Sequence, residues 1–325
     1  MLQSLRRAIS FGVLISLASA AAVGQQFPGK PVTLVVPWPA GGGSDILMRL
    51  IADASSGPLG QPIVVVNKPG AGGSLGLREV ASAAPDGHTV SMIATGFIAQ
   101  QYANLNAPGL AEYDIVAYVG TDPAALSAGA GTGWKTLSDF VNAAKQAPGK
   151  YRNGNDQPGG SSYLAIALME RALGVKVVRV PYAGYAPTVQ ALLSGEVHTA
   201  TVSVPDMVDH HKAGKVRILA VAGDERHAMA QDVPTFKEAG FPIVTGTMRA
   251  IVAPKGLPAD RLAKLENAFL TAMKSDGFRQ KAGKGGFSIA PRGSKEATDL
   301  VRRMDADMYP VLVEANMVKV RQKAQ

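Results

Sequence analysis

Apolar runs that break at glycine or proline and resume with helical spacing recur along this chain, and they predict strand-loop-helix units. The first runs through Val32-Thr-Leu-Val-Val36, breaks at Pro37, passes Gly41-Gly42-Gly43 and resumes as a helix near Asp45. Pro62-Ile-Val-Val-Val-Asn67, followed by Gly70, Gly72 and Gly73, repeats the arrangement. Further strands are predicted at 87–96, 115–120, 175–180, 217–222 and 244–253. Helices are predicted at 137–147 with Thr136 as cap, at 163–173, at 259–274, and at about 295–316 with a kink or split at Pro310. Gly159-Gly160-Ser161-Ser162 and Pro181-Tyr182-Ala-Gly184 open helices of the second half in the same way. The fold class that follows is α/β, with two lobes, each a mostly parallel sheet flanked by helices. Lobe one takes 25–125 and 246–325, lobe two takes 126–245, and the crossing is placed near 126–131.

Glycine loops at strand ends turn free N–H groups inward, and the following helix adds roughly half a positive charge. A carboxylate or phosphate is the guest such loops suit. One loop alone is equally an ordinary βα turn, but two side by side at one sheet edge point to a site. Named nucleotide motifs fail. Gly131-Thr-Gly133-Trp134-Lys135-Thr136 lacks the Walker A spacing, and Leu75 stands where a dinucleotide fingerprint needs glycine.

Composition sets the address. Arg6 and Arg7 precede an apolar stretch ending in small residues, a signal peptide over 1–24 that is too short to anchor in a bilayer. Its removal takes the formal charge of +8 down by those two arginines to +6. The chain has no cysteine, which excludes disulfides and a lipid anchor, so a soluble periplasmic monomer is expected. Lys and Arg are scattered rather than striped, which argues against nucleic acid. No cofactor or metal is expected, since the adjacent His210 and His211 diverge on a helix.

The chain resembles the Bug-type solute-binding proteins of tripartite tricarboxylate transporters across essentially the whole mature sequence. The likeness is carried by Val35-Val-Pro-Trp-Pro-Ala-Gly-Gly-Gly-Ser-Asp45, Asn67-Lys-Pro-Gly-Ala-Gly-Gly73, Ala84-Pro-Asp-Gly87, Val180-Pro-Tyr182, Lys212-Ala-Gly-Lys215, Asp232-Val-Pro-Thr235 and Val252-Ala-Pro254. The resemblance implies a flytrap that grips a small di- or tricarboxylate, aliphatic or aromatic, in the inter-lobe cleft and delivers it to inner-membrane transporter subunits. By position it puts Trp38, Pro39, Ala40, Gly41, Gly42, Gly43, Ser44 and Asp45 at the ligand, with Asn67, Gly70, Ala71, Gly72, Gly73 and Ser74 beside them. Thr95, Gly159, Gly160, Ser161, Ser162, Tyr163, Tyr182, Gly184, Ser203 and Arg249 complete the set.

Several of these have plainer readings. Asp45 also suits a helix start, and Trp38 also suits packing. Arg249 stands where many relatives carry an aromatic and glycine, and it reads as a fork on a ligand carboxylate or as a salt bridge. Val202 replaces an acidic residue found in many relatives, which removes an amine-recognising group there. An enzyme is the competing class, because Gly72-Gly73-Ser74-Leu75-Gly76 fits the elbow of a secreted α/β serine hydrolase. Against it, Ser74 lies several residues beyond the strand, and the last histidine, His227, leaves no late partner for a triad.

Overall fold

The computed structural model describes residues 27–314 and 316–322. The signal peptide expected over 1–24 lies outside these residues. Val32–Val36 (β1) pairs in parallel with Ile63–Asn67 (β2) on one side and Thr89–Ala94 (β3) on the other. Between them run Gly43–Leu59 (α1) and Ser74–Ala81 (α2), and Thr95–Ala103 (α3) follows β3 directly. Gly60 closes α1 with a φ of 84°, the left-handed turn that glycine adopts freely.

Tyr113–Gly129 (β4) is long because it serves two sheets. Its first part pairs antiparallel with Gly246–Pro254 (β9), from Tyr113 opposite Pro254 to Pro123 opposite Gly246. The remainder pairs antiparallel with Thr199–Ser203 (β7) and Val216–Val221 (β8). The first sheet therefore runs β2-β1-β3-β9-β4, with Arg292–Gly293 (β10) also on β4. The second continues β4-β7 into Arg152–Asp156 (β5) and Val178–Tyr182 (β6), all parallel after β7. Pairing is parallel within the βα units and antiparallel along β4 and β9, because the chain leaves the first sheet on one and returns on the other. The change of sheet falls at Pro123 and Ala124, where the Ala124 amide donates to the Thr245 carbonyl. Residues 127–129 lie inside the second sheet and not at the crossing assigned from sequence.

Each sheet carries its own core. Leu34, Met48, Met92, Ile251 and Phe269 pack under the first sheet with α1 and Ala259–Lys274 (α8). Val202, Met207 and Ile218 pack under the second with Tyr185–Leu193 (α6) and Val204–Lys212 (α7), while Phe140, Ile166 and Phe236 fill its other face with Leu137–Gln146 (α4) and Ser161–Leu173 (α5). Thr136 caps α4 as expected: its hydroxyl accepts from the Asp139 amide and Asp139 accepts in return. A helix not predicted, Asp276–Lys284 (α9), starts with Ser275 as cap. Ser294–Glu314 (α10) runs through Pro310 without dividing. Among the described residues no helix is long and apolar enough to cross a membrane.

Candidate functional site

The N-terminus of α1 meets the N-terminus of α5 across a cleft between the two sheets. Gly42 precedes α1 in extended conformation and offers no side-chain cap, so the first amides of the helix need partners from elsewhere. One partner comes from the other core. The Gly43 amide donates to Asp206 Oδ1 at 2.7 Å, and Asp206 lies in the first turn of α7. Gly41, at φ 86°, donates its amide to Asp45 Oδ2 at 3.0 Å. Asn67 Nδ2 donates to Asp45 Oδ1 and to the Trp38 carbonyl, and Arg49 completes the clamp at 2.9 Å. Burial opposes the charge on Asp45, but donation from Arg49, Gly41 and Asn67 outweighs it and holds the carboxyl below its ordinary range.

At α5 the capping carboxylate is local. Asp156, the last residue of β5, accepts from the Tyr163 amide at 2.8 Å and from the Ser162 amide, while its own amide donates to Ser162 Oγ. Burial pushes Asp156 up to about 6, against the pull of those amides. Burial likewise pushes Asp206 up to about 6; Arg249 and the Gly43 amide pull it down and Asp122 adds to the rise. Further contacts close the walls: the Gly96 amide donates to Ser161 Oγ at 2.9 Å, and the Tyr185 and Thr247 hydroxyls share a hydrogen bond of 2.7 Å.

What remains between the walls is a cavity of about 40 Å³. That is space for roughly three waters, so even a short dicarboxylate requires the walls to separate. Of the residues predicted from sequence, Trp38, Pro39, Gly42, Gly43, Ser44, Asp45, Gly72, Gly160, Ser161 and Gly184 line it. Ala94, Gly96, Gln100, Asp156, Gln157, Ala183, Tyr185 and Thr247 line it too and were missed, as was Asp206 beside it. For Asp156 the available signal was an acid just before a Pro-Gly-Gly helix start, and for Asp206 an acid in the first turn after Pro205.

The other predicted residues stand away from the cavity lining. Ala40 is exposed, and Asn67 and Gly41 act by fixing Asp45. Gly70, Ala71 and Gly73 shape the second loop, where φ is positive at four successive residues from Gly70 to Gly73. Ser74 is 2% exposed and its hydroxyl accepts from the Asn104 amide at 3.4 Å, a neighbour unable to act as a base for hydrolysis. Thr95 bonds Gly246 and Met248 across the sheet and faces a separate cavity of about 740 Å³ with His227 and Met304. Gly159 turns the chain, Ser162 holds Asp156, and the Tyr163 ring lies under Arg179 at 4.8 Å. Tyr182 points outward, its hydroxyl donating to Glu196, and Ser203 is buried against Thr247.

Arg249 departs furthest from the ligand-facing reading. It is 1% exposed, its Nη1 is ion-paired with Asp122, and its Nε donates to Ser44 Oγ at 3.1 Å. A guanidinium so enclosed supports the start of α1 from behind through Ser44, and its ion pair with Asp122 matches the salt bridge, one of the two readings its position in the sequence allows. Val202, in the apparent acidic position, is buried in the second core.

Comparison with known proteins follows this geometry. Residues 47–316 match the profile described as "Tripartite tricarboxylate transporter family receptor". A UPF0065 protein in the gbd 5' region of Cupriavidus necator is 35% identical over 275 residues, 84% of this chain and 83% of that one. MatC from Rhodopseudomonas palustris, solved with bound malate, is 30% identical with a TM-score of 0.76, covering 86% of this chain and 99% of its own. An R. palustris protein solved with adipate is 28% identical with a TM-score of 0.83, covering 90% and 98%. This chain belongs to the tripartite tricarboxylate transporter receptor family, whose members are periplasmic solute-binding proteins and not enzymes.

Proposed function

We propose that this protein is exported to the periplasm, captures a small dicarboxylate between its two lobes and hands it to the membrane subunits of a tripartite tricarboxylate transporter. The observation that carries the reading is the convergence of the α1 and α5 N-termini on one cavity, where main-chain amides of both helices already coordinate carboxylates of Asp206 and Asp156. Malate and adipate in two structural relatives support the same ligand chemistry. The lobes are 25–125 with 246–325, and 126–245; β4 and β9 are the two crossings about which they part.

A thermal-shift screen of the mature protein against mono-, di- and tricarboxylates tests this. A ligand at ~100 times its dissociation constant adds roughly 2.7 kcal/mol, a Tm rise of several degrees. Stabilisation by malate, adipate or a close analogue is the expected result, and a panel in which no carboxylate shifts the melt would remove the reading.

A further inference from the structure

The contact between α1 and α7 joins elements from two different cores through a charged side chain. Asp206 neighbours Met207 and Val208, which pack under the second sheet, whereas α1 packs Met48 and Ile51 under the first. The carboxylate lies hard against the helix start: a Cβ added at Gly43 would stand 2.7 Å from Asp206 Oδ2. That oxygen is buried without a hydrogen-bond partner among the described residues, and so is Nη2 of Arg249. The groups facing Asp206 are the Gly43 amide on α1, Arg249 on β9, Asp122 on β4 and the Tyr185 phenol on α6. Arg249 is ion-paired with Asp122, so among the described residues Asp206 shares its neighbouring cation with another carboxylate.

We propose that Asp206 is a resident stand-in for the ligand's carboxylate: it latches the cleft from α7 by holding the N-terminus of α1, and an incoming carboxylate must dislodge it. The proposal rests on the reading of this cleft as a carboxylate site. Capture is then a competition between an internal and an external anion for one set of amides. The ligand takes the Gly43 amide and the cleft closes again over it, so Asp206 stays buried, loses that donor and gains a negative neighbour, and the bound state takes up a proton. Burial already brings Asp206 up to about 6, so the uptake falls between neutral and mildly acidic pH. Wild-type affinity for a dicarboxylate therefore rises as pH falls from about 7.5 to about 6, by at most about tenfold per pH unit.

Two readouts test this on the mature protein, with folding checked by circular dichroism. Small-angle scattering of the ligand-free protein at about pH 7.5 should show a larger radius of gyration for Asp206→Ala than for wild type. Gly43→Ala, which drives the carboxylate away with its Cβ, should reproduce the expansion, and the double variant should add little. Calorimetry with malate and adipate at about pH 7.5 and about pH 6 should show Asp206→Asn binding about tenfold tighter than wild type at the higher pH, with most of the pH dependence gone. An unchanged radius in both single variants overturns the latch, and an unchanged or weakened affinity in Asp206→Asn overturns the competition. If wild type binds neither acid, the functional reading fails on its own, and scattering still decides whether Asp206 holds the lobes together.

Discussion

The loop before α1 and the loop before α2 both carry a parallel strand into a helix through several glycines, yet they are built for different tasks. The first is held by side chains that arrive from far along the chain: Asn67 on Asp45, Arg249 on Ser44, Asp206 on Gly43. Its helix start faces the cavity. The second is held by its own backbone, with positive φ at four successive residues and hydrogen bonds from the Gly73 and Leu75 amides back to the Gly70 carbonyl. Only Gly72 of that loop reaches the cavity lining. A glycine loop that needs outside partners is free to exchange one of them for a ligand, whereas a loop that satisfies itself is a support.

The contrast breaks most visibly at Arg249. Removing it leaves Asp122 buried without its cation, so Arg249→Ala should cost about 3–5 kcal/mol in urea unfolding. A loss under about 1 kcal/mol would mean the first loop does not stand on that ion pair. Gly70→Ala probes the second loop. At φ 136°, with the new Cβ 2.6 Å from the flexible end of Leu75, it should cost about 1–3 kcal/mol while leaving dicarboxylate affinity within error. A variant that keeps its stability but loses affinity would put this loop back among the ligand contacts.

Asp156 sharpens the comparison from the facing helix through pH. Its folded pKa is raised to about 6, so the native state holds its proton more tightly than the unfolded chain. The stability it contributes is full below about pH 4 and is lost as pH rises through about 6. Asp156→Asn should flatten that part of the profile in denaturation measured across the window; an unchanged slope would show that another group carries it. The smallest effect belongs to Ser74→Ala. Its long bond to Asn104 predicts a loss under about 1 kcal/mol and no change in ligand affinity. Ester hydrolysis by wild type that vanished in this variant would contradict the placement of this chain among binding proteins.

The parts of this architecture legible in sequence are those set by neighbours along the chain. Apolar runs ending at Gly41 to Gly43 and Gly70 to Gly73 and the Thr136 cap all announce themselves within a few residues. The sequence pattern shortens β4 because Pro123 interrupts an otherwise apolar strand at the change of sheet, where the register passes from β9 to β7. The polar partners were hidden for a different reason. Gly43 and Asp206 are 163 residues apart, and Arg249 and Asp122 are 127 apart, so no local pattern reports that they meet. Tyr185 and Thr247 were missed likewise, each unremarkable in its own segment and joined only by the fold.

The most direct test of the central claim is an amide-resolved NMR titration of the mature protein with malate or adipate. If the helix starts of the cleft take the ligand, shift changes concentrate at Gly42, Gly43 and Ser44 and at Gly160 and Ser161, with smaller changes at Gly70, Ala71 and Gly73. Changes centred instead on the separate cavity around His227 and Met304, with the α1 and α5 amides unmoved at saturation, would contradict the account.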